Sequence, residues 1–150
     1  MLRDDRQAEL NELVVRVKDA ALRCRDDSGL AREPVLAALF SRLGQRREEM
    51  ARALEQHLIK LNDLPRAPDA DLETVKSLVT YLKTALSTNE RQTLLNERIE
   101  GECQIQEQIR IARETELPAD TQALLDDIAR EIAADRNELE RLIRRLRTDD

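Results

Sequence analysis

The chain has 150 residues, 37% of them charged, and a formal net charge of −6 with acidic and basic residues interspersed. That length suits one domain with a core of its own, while the absence of a broad basic face argues against nucleic acid as a partner. With Phe40 and Tyr81 the only aromatics, and few glycines and prolines, the composition disfavours a β-rich fold and favours long helices around a Leu, Ile, Val and Ala core.

A first helix is predicted over residues 5–26, where Leu10, Leu13, Val14, Val17, Ala21 and Cys24 fall on one stripe. Asp27-Ser28-Gly29 is expected to stop it, because glycine leaves a helix without strain. The second helix, 33–62, opens at Glu33-Pro34, where proline fits a first turn. Its stripe reads Leu36, Leu39, Phe40, Leu43, Met50, Leu54, Leu58 and Leu61, and Pro65 and Pro68 follow it. The long link after it is expected to carry a short helix over 71–86, with Leu72, Val75, Leu78, Val79, Leu82 and Leu86 on one face. Ser87-Thr88-Asn89-Glu90 resembles a capping box opening a third long helix, 89–115, lined by Leu94, Leu95, Ile99, Ile105, Ile109 and Ala112. Leu117-Pro118 breaks that helix and opens the last, 118–147, lined by Leu125, Ile128, Ile132, Leu139, Leu142 and Leu146.

Short turns within the first and last pairs predict two antiparallel hairpins. The middle link is long enough to return the chain along the bundle, so the third long helix should run parallel to the second. The expectation is a single all-α domain over residues 1–150, a four-helix bundle with one long crossover, which is the ferritin-like arrangement.

Polar residues interrupt three apolar stripes: Arg47 and His57 on the second helix, Arg98 and Glu102 on the third, Asp135 on the fourth. Arg47, Glu102 and Asp135 lie near the midpoints of their helices. Helix rotation is expected to turn some of them to a solvated rim; the competing, sharper reading is a buried polar layer in which the planar fork of Arg47 bridges two carboxylates. Di-metal sites in such bundles draw a Glu-x-x-His from each of two helices. His57 is the only histidine and Leu54 stands three before it, so that pattern is missing and no metal or other cofactor is expected. If a metal were held at all, Glu102, Asp135 and His57 would be the ligands to test. Cys24 reads as a buried, reduced thiol, and Cys103 as a thiol beside the polar layer. Arg141, Arg144, Arg145 and Arg147 read as favourable charge near a helix C-terminus. Ala21, Ala53, Gly101 and Ala133 are small enough to open a pocket between helices, although close packing is their expected use.

Ala38-Leu39-Phe40-Ser41-Arg42-Leu43-Gly44-Gln45-Arg46, Arg98-Ile99-Glu100-Gly101-Glu102 and Thr115-Glu116-Leu117-Pro118-Ala119 resemble, in order and spacing, the motifs of a bacterial ferritin-like four-helix-bundle family of unknown function, distantly similar to rubrerythrins and ferritins. The resemblance spans most of residues 8–146. It implies a ferritin-like fold, a bacterial cytoplasmic setting and a stress-related role, with no established activity. Glu102 matches the glutamate of the glycine–glutamate motif, whereas Asp135 and Arg136 stand where a metal-binding relative would carry histidine.

No apolar run approaches the ~20 residues that span a bilayer, and Met1–Arg6 lacks the apolar stretch of a signal peptide. The expected function is a non-catalytic structural or interaction module in the cytoplasm, working through self-association or an unidentified protein partner, with neither membrane nor nucleic acid. The alternatives are a carboxylate-rich metal-storage or oxidoreductase protein, and a coiled-coil adaptor or secretion chaperone.

Overall fold

A computed structural model describes residues 4–66 and 88–148. Its regular elements among these are all helical: α1 (Asp5–Leu30), α2 (Pro34–Lys60), α3 (Thr88–Arg113) and α4 (Ala119–Thr148). The short helix expected over 71–86 and the capping Ser87 lie outside the described residues. No helix among the described residues is long and apolar enough to cross a membrane.

The start of α1 is a capping box. The Asp4 carboxylate accepts from the Gln7 backbone N–H (2.9 Å), and the Gln7 side chain accepts from the Asp4 N–H (3.0 Å). The end of α1 departs from expectation, because the helix runs through Asp27-Ser28-Gly29 to Leu30 and no described glycine has positive φ. Two contacts carry it onward: the Ala31 N–H donates to the Asp27 carbonyl, and Ser28 Oγ donates to the Ala37 carbonyl, each at 3.0 Å. The chain turns extended only at Ala31, and Glu33 is extended too (φ −67°, ψ 120°). A residue before proline is pushed out of the helical region by the proline ring. Pro34, rather than Gly29, therefore fixes the corner.

The end of α2 is a Schellman turn. Asn62 takes φ 62°, the Asn62 N–H donates to the Ile59 carbonyl (2.9 Å) and the Asp63 N–H to the Leu58 carbonyl (3.2 Å). The chain beyond it is tied to α1 by buried Asn11. Its Nδ2 donates to Asp63 Oδ2 (3.0 Å) and the Leu64 carbonyl (2.9 Å), and its Oδ1 accepts from the Arg66 N–H (3.0 Å).

Helix α1 packs on α2 and α3, and α4 packs on α3 and more loosely on α2, leaving α1/α4 and α2/α3 as diagonals. Directions follow from the hydrogen bonds. Gln7 Nε2 donates to the Leu61 carbonyl (2.7 Å) at one end of the α1/α2 pair, opposite the Ser28–Ala37 bond at the other. Gln108 Nε2 donates to the Glu9 carbonyl (2.9 Å), so α3 is antiparallel to α1 and parallel to α2. Arg42–Glu138 and His57–Thr121 contacts run α4 antiparallel to α2. The result is an all-helical four-helix arrangement in which α2 ends and α3 begins at opposite ends.

The core divides into two apolar clusters. One gathers Leu10, Leu13, Val17, Met50, Leu54, Ile105, Ile128 and Ile132; the other gathers Cys24, Leu39, Phe40, Leu43, Leu95, Leu139 and Ile143. On α2 the boundary falls between Leu43 and Met50, and on α4 between Ile132 and Leu139. The small-residue positions divide as well: Ala21 is buried, Gly101 and Ala53 are half-buried, and Ala133 faces solvent.

Candidate functional site

The boundary between the apolar clusters is filled by charge. Arg47, the largest fully buried side chain, is 0% exposed, as is Glu102, and Asp135 is 3% exposed. From α2, Arg47 Nη2 reaches Glu102 Oε2 on the diagonal helix α3 at 3.0 Å and Asp135 Oδ2 on α4 at 2.8 Å. One planar fork thus joins three helices near the bundle axis. Arg47 Nη1 leans on Met50 Sδ at 3.5 Å, a weak acceptor. Helix α1 offers Ala21 and Cys24 at this level, and Gly44 lets α2 approach. A Cβ at Gly44 would lie 3.3 Å from Cys24 Cβ and 3.4 Å from the Ala21 carbonyl oxygen.

Two further arginines complete the layer. Arg46, 39% exposed, donates from Nη1 to Asp135 Oδ1 at 2.5 Å. Arg98, 4% exposed, places Nε 3.3 Å from Glu102 Oε1. The buried members, Arg47 and Arg98 against Glu102 and Asp135, balance in charge. Desolvation opposes the charged form of Arg47, but Glu102 and Asp135 more than offset it and hold its pKa above the ordinary guanidinium value. The hydrogen bonding is less complete than the charge balance: Arg47 Nε, Arg98 Nε and Glu102 Oε1 are buried without a hydrogen-bond partner. Cys24 borders the layer, and desolvation pushes its thiol pKa up to about 11, with Arg98 pulling the other way. At neutral pH it is a protonated, inert thiol.

His57 stands apart. It lies ten residues from Arg47 along α2, about 15 Å at the helical rise. Its Nδ1 shares a hydrogen with Thr121 Oγ1 (2.8 Å), and Asp120 Oδ2 is 3.9 Å away. The three metal candidates His57, Glu102 and Asp135 are therefore not brought together. Among the described residues no three His, Cys, Asp or Glu side chains converge where they could hold an ion. A di-metal centre does not fit this donor set, because a guanidinium occupies the space between the two central carboxylates. Sequence reasoning missed one member of the layer and left a second outside it. Arg46 sits one residue off the apolar stripe and carried no signal; Arg98 was visible as a stripe gap, and its four-residue spacing from Glu102 is the pairing distance of a helix face.

Fold and site together define a four-helix protein whose centre is an arginine–carboxylate layer. The family described as a domain of unknown function (DUF2383) matches residues 5–115, and the chain belongs to that family. The match covers α1 to α3; α4, which carries Asp135, lies beyond it. No curated protein and no solved structure matches the chain.

Proposed function

We propose that this chain is a ferritin-like bundle in which the layer that holds metal in catalytic relatives is occupied by arginine. It acts as a non-catalytic structural or interaction protein of the bacterial cytoplasm, without a cofactor, in a stress-associated role. Its partner is a second copy of itself or another protein. The observation that carries this reading is the position of Arg47, fully buried with its guanidinium on both Glu102 and Asp135. A fixed positive charge between the central carboxylates repels a cation and uses the ligands it would need. Replacing it would leave Arg98 as the partner of buried Glu102 and Arg46 as the partner of buried Asp135, with the charge between the two carboxylates gone.

The test is oxygen uptake after ferrous iron is added to anaerobically equilibrated protein, with light-scattering mass followed across a dilution series. The reading predicts no uptake above the protein-free rate. Stoichiometric uptake lost on Glu102→Ala would replace it with the carboxylate-rich oxidoreductase. A mass that rises with concentration above 17.3 kDa assigns the contact to self-association, and a constant monomer mass assigns it to another protein.

A further inference from the structure

Between α1 and α3 lies a cleft of about 490 Å³, with Val15 and Ile105 as its apolar lining and Glu97, Arg98, Glu100 and Gly101 along its α3 wall. That volume lies in the range of small-molecule sites. Arg98 is the unusual member. It is 4% exposed, yet its Nε makes no hydrogen bond, and its ion pair with Glu102 Oε1 at 3.3 Å is not aligned as one. A guanidinium carries five donors, and a buried donor left unmet forfeits its hydration without return. Gly101 gives this group its place. A Cβ there would fall 2.0 Å from Arg98 Nη2 and 2.8 Å from its Cζ, so the Nη2 end of the guanidinium occupies the space beside the glycine at the cleft wall.

The remaining charges divide by wall. On α1, Arg23 pairs with Asp19 (2.6 Å) and Arg16 with Glu12 (3.4 Å), and buried Asp27 adds a further carboxylate to that wall. On α3, Glu97 and Glu100 are exposed and form no ion pair among the described residues. A buried guanidinium whose Nε lacks a hydrogen-bond partner, two open carboxylates near it and an aliphatic strip beside them match one ligand chemistry. A simple anion would meet Glu97 and Glu100, and a simple amine would meet Arg98. We propose that the cleft binds a free aliphatic amino acid. Its carboxylate rests on Arg98, its ammonium faces Glu97 and Glu100, and its side chain lies over Val15 and Ile105.

The experiment is an amide NMR titration of the full chain with L-leucine, with 4-methylpentanoate, which lacks the amine, and with 3-methylbutylamine, which lacks the carboxylate. Leucine is expected to give saturable shifts at Gly101, and each analogue to bind at least about tenfold more weakly. Glu97→Gln combined with Glu100→Gln alters exposed positions only. It should weaken leucine about tenfold while leaving 4-methylpentanoate no weaker. Gly101→Ala displaces the Arg98 guanidinium and should abolish leucine binding, with circular dichroism reporting that the helices persist. The proposal is overturned by the absence of saturable shifts with leucine up to about 50 mM, beyond which an affinity carries little specificity. Equal affinity for leucine and 4-methylpentanoate, or leucine binding unchanged in Gly101→Ala, overturns it too.

Discussion

Replacing Glu102 with alanine removes one of the two carboxylates that balance Arg47 and Arg98. Both arginines are buried, at 0% and 4% exposure, so neither can recover hydration without opening the bundle. Arg47 keeps Asp135 at 2.8 Å, but Arg98 loses its ion pair among the described residues. Breaking a buried pair by removing one partner costs about 3–5 kcal/mol, most of it the stranded charge. The lost methylene adds about 1 kcal/mol for the cavity. Against a typical domain stability of about 5–15 kcal/mol, Glu102→Ala should leave a marginal fold. Urea unfolding followed by circular dichroism measures this directly, with an unchanged slope showing that the same surface is exposed. The control removes the four buried charges of the layer at once. Arg47→Met, Arg98→Met, Glu102→Leu and Asp135→Leu combined should come within about 1–2 kcal/mol of the parent, or exceed it, because a well-packed apolar layer replaces a buried ion cluster at little cost. A loss below about 0.5 kcal/mol in Glu102→Ala alone is the scale of a solvated surface site, and would refute the buried layer.

Four further outcomes test the packing and the titration. Cys24 and the unfolded chain both hold their thiol proton below the ordinary value of 9.0, whereas between 9.0 and about 11 only the unfolded chain releases it. Stability should therefore fall as pH rises through that window, by about 2–3 kcal/mol, and Cys24→Ala should remove this part of the fall in urea melts run at each pH. A thiol-labelling time course at pH 8 should find Cys103, half-buried, reacting before unfolding and Cys24 only after it. Gly44→Val should cost about 1–3 kcal/mol in the same melts, because its side chain would press on Cys24 and the Ala21 carbonyl. Asn62→Gly should stay within a few tenths of a kcal/mol of the parent, while Asn62→Ile should lose about 1–2 kcal/mol, since a β-branched residue resists φ 62°.

The parts of the fold legible in the sequence are those governed by helical periodicity. The stripe from Leu10 to Cys24 and that from Leu125 to Leu139 are the buried faces of α1 and α4, because 3.6-residue periodicity fixes which side chains share a face. The gaps at Arg47, Glu102 and Asp135 coincide with buried charges for the same reason: a position on an inward stripe is buried whatever its chemistry. Local signals were less dependable where tertiary contacts compete. Gly29 has the composition of a helix stop, yet the Ser28–Ala37 bond and the constraint before Pro34 carry the helix past it. Arg46 was invisible because its stem begins off the stripe and its reach back to Asp135 depends on where α4 lies. Ala133, small enough for an inward position, faces solvent. The cleft beside Gly101 depends on how α1 and α3 are spaced, which no single-helix pattern encodes.

The most direct test of the central claim, that a guanidinium stands where a metal layer would be, is elemental analysis of untagged protein purified without chelator and again after anaerobic ferrous loading. The account predicts less than about 0.1 equivalent of any transition metal in both samples, since Arg47 occupies the space between Glu102 and Asp135. One or two equivalents, lost in Glu102→Ala, would contradict it and show that the carboxylates exchange arginine for metal.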